Sequence, residues 1–372
     1  MGISLARPNL QLSLSRKKKT GGIAGLDIEA GSLAATVLEG SNGSSRVSAA
    51  AVQPLEAGAF HEGEVLDADR LAAALKTLFS RNKLPKQVRI GISNQRVVVR
   101  TVRLPAIENP AEMEAAVRFQ AQEQIPMPLD QAVLEHQVVG GVAAEEGGSP
   151  RVDVVVVAAR RDMVSSLVEP IRRAGLQPVG VDLSAFAMIR ALADAGMVEQ
   201  GLEPGQRPSE AVLYCNVGDV TNLAVARGRS CLFTRVSHAG LESIGERLSA
   251  ARGLSAEHAA QWLAYAGLEQ PIEALEGDPD IVAEARAALE EGVTALLDEL
   301  RLSLDYYGAQ EGALPVSRIV LSGQGGAIPG LAARMEEDLG QAITVARPAG
   351  LEGYDEPTAA RLTLSYGLAL ES

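Results

Sequence analysis

Aromatic residues are scarce in this chain: five Phe, six Tyr and one Trp make up 3% of its 372 residues. Any core must therefore be built from Ala, Val and Leu, which the 47% hydrophobic content supplies. Cysteine is nearly absent. Cys215 and Cys231 lie in apolar stretches and read as buried free thiols of a reducing compartment, which excludes a disulfide-stapled scaffold. The four histidines, at 61, 136, 238 and 258, lack metal-ligand spacing, so no zinc centre is expected. Basic charge is in deficit, with 34 Lys and Arg against 47 Asp and Glu and a net charge of −13. That excludes a general nucleic-acid binder, which needs a basic face. No apolar run reaches the roughly 18 residues of a spanning helix, and no secretory signal is visible.

What is present is a twice-repeated unit. Ile23–Ile28 and Leu33–Leu38 read as two short strands joined by turn chemistry at Glu29–Ser32, with Asp27 near the tip. Ala211–Gly228 repeats the pattern around Asn216-Val217-Gly218-Asp219. Each hairpin is followed by a third strand (Arg46–Leu55; Cys231–Val236) and a helix (Asp69–Ser80; Leu241–Arg252). Two copies of one supersecondary unit imply two lobes facing a cleft. A third element, the apolar run Ser317–Leu321, leads into Ser322-Gly323-Gln324-Gly325-Gly326-Ala327, with Pro329 where a helix is expected to begin. Gly-rich strand-to-helix turns suit phosphate, because backbone amides and a helix N-terminus can face the anion.

Between the lobes' parts, an inset is expected. Asn94–Leu104 is strand-like, and Asn109-Pro110-Ala111-Glu112 starts a helix with cap, first-turn Pro and capping-box Glu. That helix carries Val117, Phe119 and Ile125 and stops at Pro126 and Pro128. Strands at Val133–Val139 and Val152–Ala158 and a helix at Arg161–Ala174 complete the unit. The chain is divided accordingly: a disordered basic tail (1–21, ending in the run Arg16–Lys19), first lobe (22–93), inset (94–177), first lobe and linker (178–208), second-lobe core (209–240), helical subdomain (241–313), second-lobe core (314–354) and a C-terminal helix on the first lobe (355–372). Weak contact of the basic tail with anionic lipid is the alternative to plain disorder.

The order of hairpin, second hairpin and Leu321-Ser-Gly-Gln-Gly-Gly-Ala-Ile-Pro-Gly-Leu331 resembles the actin-like ATPase superfamily. Val102-Arg-Leu-Pro105, Ala116–Pro126, Val156–Arg160, Ala174-Gly-Leu176 and Arg301–Tyr307 resemble its PilM family of type IV pilus assembly proteins, relatives of FtsA. The resemblance implies an actin-like, ribonuclease H-like α/β fold of two lobes with an inserted α+β subdomain. It implies a cytoplasmic scaffold of pilus assembly and twitching motility, held at the inner membrane by the cytoplasmic N-terminal peptide of a PilN-like partner. Val117, Phe119 and Ile125 are the candidate peptide contacts, and self-association is a further option.

By the same resemblance, Asp27, Ser32, Gly218, Asp219, Gly323, Gln324, Gly325 and Gly326 would surround Mg·ATP, with Asp27 toward the metal. Five positions depart from the family pattern. Glu29 stands for a Gly, Ala34 for a Lys and Asn216 for an Asp, while Ala260 and Leu263 replace the charges of an Ala-Glu-x-x-Lys motif aligned on Ala259–Leu263. These losses point to a pseudo-ATPase. An ATP-binding actin-fold ATPase or kinase and an FtsA-like division filament protein are the alternatives.

Overall fold

The computed structural model describes residues 2–3, 22–40, 45–142, 150–196, 210–310 and 312–370. The linker 204–208 and most of the tail expectation fall outside these residues.

Strand β1 (Gly2–Ile3) is followed by β2 (Ala24–Ile28), β3 (Ser32–Glu39) and β4 (Arg46–Pro54), a small hairpin of β5 (Phe60–His61) and β6 (Glu64–Val65), helix α1 (Ala68–Arg81) and β7 (Gln87–Ile92). The inset supplies β8 (Val98–Pro105), α2 (Pro110–Gln124), β9 (Ala132–Val142) and β10 (Arg151–Arg160). Helix α3 (Arg161–Arg173), β11 (Gln177–Leu183) and α4 (Ser184–Gly196) return the chain to the first lobe. The second lobe is β12 (Ala211–Val217), β13 (Thr221–Arg227), β14 (Ser230–Ser237), α5 (Leu241–Arg252), α6 (Ala256–Ala266), α7 (Pro279–Gly308), β15 (Val316–Ser322), α8 (Leu331–Leu339) and β16 (Ile343–Val345). Helix α9 (Glu356–Ala369) then packs on β2 and β3 of the first lobe.

The sheets repeat one plan. In the first, the order β1-β11-β7-β2-β3-β4 joins an antiparallel meander to parallel β7 and β11. In the second, β14-β13-β12-β15-β16 does the same. The inset is a three-stranded antiparallel sheet, β8-β10-β9.

Each body has an apolar core of small and branched residues. Leu26, Leu33, Leu71, Leu75 and Ile90 anchor the first lobe, and Leu213, Leu263, Leu289, Leu297 and Ile319 the second. A third cluster, including Phe186, Ile189, Tyr214, Ala224, Val320 and Leu364, spans both lobes behind the cleft. Close packing at α9 depends on glycine. A Cβ on Gly25 would sit 2.5 Å from the Ala369 amide nitrogen and closer still to the Ser365 carbonyl.

Four expectations are corrected. Gly2 and Ile3 are not loose but pair with Asp182 and Val181. Helix α3 belongs to the first lobe, because Met163, Val164, Leu167 and Ile171 join that core and α3 lies against α1. Helix α8 begins at Leu331, capped by Gly330 at φ +81°, so Pro329 stays in the connection. Val117 and Ile125 are 1% and 5% exposed inside the inset core, which leaves only Phe119, 67% exposed, at the surface.

Candidate functional site

The two hairpin tips meet in the cleft. Both hairpins are buried on both faces, and the turn between β2 and β3 is closed by reciprocal backbone bonds between Glu29 and Ser32. The Gly31 amide donates to Asp219 Oδ2 at 3.0 Å, so one tip holds the other. The Glu29 carboxyl lies against Gly218, where a Cβ would collide with it. Any larger residue there would push the Glu29 carboxyl aside.

Arg361, from α9, occupies the centre. Its side chain is 3% exposed. Nη1 donates to Asp27 Oδ2 at 2.5 Å, Nη2 to the Ser32 carbonyl at 2.9 Å and the Asp27 carbonyl at 3.4 Å, and Nε to Ser32 Oγ at 2.6 Å. Glu29 Oε2 lies 3.0 Å from Nε, at ion-pair distance. A planar guanidinium with five donors suits this mixture of carboxylate and backbone oxygens. Three acids surround one cation, and burial answers the excess. It pushes the Glu29 carboxyl up to about 8 against the opposing pull of Arg361, with Asp219 and Asp27 adding to the rise. Asp219 is also raised, first by burial. Arg361 is held still more firmly protonated by Glu29 and Asp27, which outweigh its own burial.

The remaining expected residues fall around this centre without forming an open pocket. Asn216, 2% exposed, donates to Ser322 Oγ at 3.1 Å. Gly323, at φ +80°, and Gly325 pack directly on Asn216 and Val217, with Gln324 and Gly326 half-buried beside them. The cavity among Asp27, Glu29, Phe60, Asp219, Asn222 and Glu242 measures about 20 Å³, room for one water. As placed, these residues do not fit Mg·ATP: Asp27 already holds Arg361, and the cavity they line has room for about one water.

Two substitutions acquire a structural reason. Ala34 is fully buried against Leu351, Ala359, Leu362 and Tyr366, so α9 leaves no room for a Lys there. Leu263 is 2% exposed in the second-lobe core, where a charged side chain would be buried. Glu257 and Ala260 lie on the exposed first turn of α6, whose start Ser255 caps.

Arg361 escaped the sequence reading. Its signal was a single cation within the apolar run of α9.

The cleft mouth is latched by a second polar group. His61 Nδ1 hydrogen-bonds Glu242 Oε1 at 2.8 Å, the Glu62 amide donates to Glu242 Oε2 at 3.3 Å, and His238 Nδ1 lies 3.1 Å from Glu62 Oε1 without a hydrogen bond. The Glu242 hydrogen bond raises the His61 pKa. Burial raises that of Glu242. Ligand atoms of His61, Glu242 and Glu246 lie within 4.8 Å of one another, the one metal-compatible grouping among the described residues. The hydrogen bonds already made by Glu242 account for the geometry without an ion. No helix of the described residues is long and apolar enough to cross a membrane.

Comparison with known proteins places this arrangement. The structure of a PilM–PilN type IV pilus biogenesis complex aligns over 94% of this chain and 98% of that one, at 25% identity and a TM-score of 0.74. MreB5 of Spiroplasma citri bound to ADP shares the fold, with a TM-score of 0.50 at 12% identity over 94% and 95% of the two chains. The two-lobed α/β architecture is thus the actin-like fold. The family model described as type IV pilus assembly protein PilM matches residues 25–371, and the chain belongs to that family.

Proposed function

We propose that this chain is a cytoplasmic scaffold of type IV pilus assembly whose nucleotide site is degraded. Its proposed partner is the cytoplasmic N-terminal peptide of a PilN-like inner-membrane protein, which would hold it at the membrane's inner face. The observation that carries the nucleotide half is Arg361. It neutralises Asp27 from within the protein, so the acid is not free for hydrated Mg²⁺. The adjoining 20 Å³ cavity is far below the roughly 300 Å³ at which ligand pockets begin. Phosphoryl transfer needs a positioned nucleophile and preorganised positive charge on the phosphoryl group. Here the nearest groups are carboxyls.

Support for the partner half is the family membership and the similarity to a PilM–PilN complex. The inset borders its neighbours along two seams where an extended peptide could lie. One runs beside β8, where the inset and first lobe face β14 and α7 of the second lobe across a cavity of about 350 Å³ lined by Ile92, Val97, Arg100, Leu183, Phe233 and Tyr306. The other lies along β1, which touches both β11 and β9. Recognition there would use main-chain bonds and apolar contacts.

One pair of titrations tests both halves. Calorimetry with Mg·ATP should show no saturable binding, whereas a synthetic N-terminal peptide of the PilN-like protein should bind saturably. Low-micromolar ATP binding would overturn the degraded site. Absence of peptide binding at millimolar concentration would overturn the docking role.

A further inference from the structure

The outer edge of the first-lobe sheet is not empty. Residues Gly2 and Ile3 pair antiparallel with Asp182 and Val181, so the chain's own N-terminal residues extend the sheet at β11. The same residues approach β9 of the inset. They therefore lie in the second of the two seams, between the first lobe and the inset.

From this we propose that the edge of β11 is a strand-acceptor site, that Gly2–Ile3 occupies it as an internal placeholder, and that an extended partner segment binds by displacing it. The proposal rests on the peptide-docking reading above and adds to it a site and a competitor.

Length decides the outcome of that competition. Strand β11 offers seven residues, Gln177–Leu183, and the placeholder pairs with two of them. A free segment able to pair along the whole edge forms more main-chain bonds. Its additional reach runs past Gly180 to Val179, which is 41% exposed; Val138 on β9, the other wall, is 49% exposed. The partner chemistry this fits is a short extended segment with apolar residues and a free backbone, added to an open edge.

Tethering explains how so short a strand stays in place. Three sheet positions separate β1 from β2, about 14 Å at the usual strand spacing. The connection from residue 4 to 21 has ample reach for that, since each residue spans up to about 3.3 Å. Attachment to the same chain raises the local concentration of Gly2–Ile3 at the edge above that of a free dipeptide.

The test uses the full-length chain and the variant Ile3→Pro, which removes a backbone donor from the strand without touching the basic run. Deletion of residues 1–21 serves as the second variant. Two quantities are read: hydrogen exchange of the amides in 179–183, and affinity for the synthetic PilN-like peptide. If the placeholder is nine-tenths occupied, its loss should tighten peptide binding about tenfold, and exchange at 179–183 should quicken in both variants. Unchanged exchange would overturn the placeholder itself, whatever the peptide does. Faster exchange with unchanged peptide affinity would overturn the competition and send the peptide to the β8 seam, leaving the docking reading intact. Protection of 179–183 that grows with protein concentration would mean the strand comes from a second copy, and would overturn its intramolecular origin.

Discussion

Replacing Arg361 by Met keeps most of the side chain's length and removes the positive charge from a site that is 3% exposed. The loss strips Asp27 of its counter-ion and Ser32 of two donors. Water cannot take over, because the adjoining cavity holds about one molecule. Breaking one partner of a buried ion pair costs about 3–5 kcal/mol, since an uncompensated charge remains in low dielectric. For a cooperative unit of 150–250 residues, that corresponds to a fall in Tm of about 6–20 °C. Thermal and urea unfolding would measure it. The double variant Arg361→Met with Asp27→Asn should be less destabilised than the sum of the singles, by about 0.5–3 kcal/mol of coupling. A single-variant loss below about 1 kcal/mol, or strict additivity, would refute the idea that this pair organises the cleft.

Two further predictions follow from neighbouring residues. Glu29, pushed up to about 8 in the folded state from an ordinary 4.5, binds a proton there that the unfolded chain has released. Its contribution is therefore complete below about pH 4.5 and is lost as pH rises through about 8. Glu29→Gln should flatten the decline of the urea midpoint between pH 5 and 8.5, with the raised Asp219 leaving a residual slope. An unaltered pH profile would mean Glu29 is ionised in the fold. Gly25→Ala drives a methyl into the α9 backbone and should cost about 1–3 kcal/mol, the range for overpacking. A melting temperature equal to that of the parent would show that α9 can retreat from the sheet.

How much of this could be read from the chain depended on range. The hairpins were legible because apolar runs and turn residues are local. Strand β2 falls at Ala24–Ile28 inside the expected Ile23–Ile28, and the second hairpin closes where Gly218 and Asp219 stand. Arg361 was not legible, because nothing near residue 361 reveals that its partner lies 334 positions away. Ala34 looked like a lost charge until α9 was seen lying on it. Leu263 likewise looked like a lost charge until its burial in the second-lobe core was seen. The end of the inset was missed for a similar reason. An amphipathic helix does not say which neighbour it faces, and α3 faces α1.

The separation of Asp27 from Arg361 also sets an order of events in synthesis. At 5–20 residues per second, about 15–70 s pass between the making of β2 and the arrival of the guanidinium 334 residues later. Through that interval the first hairpin exposes its acids to water, and β2 and β3 lack the helix that will cover them. The first lobe is thus a late-closing body, despite holding the earliest strands of the sheet's core. Its final ordering waits on a segment made after the whole second lobe, so the two lobes mature together rather than in sequence.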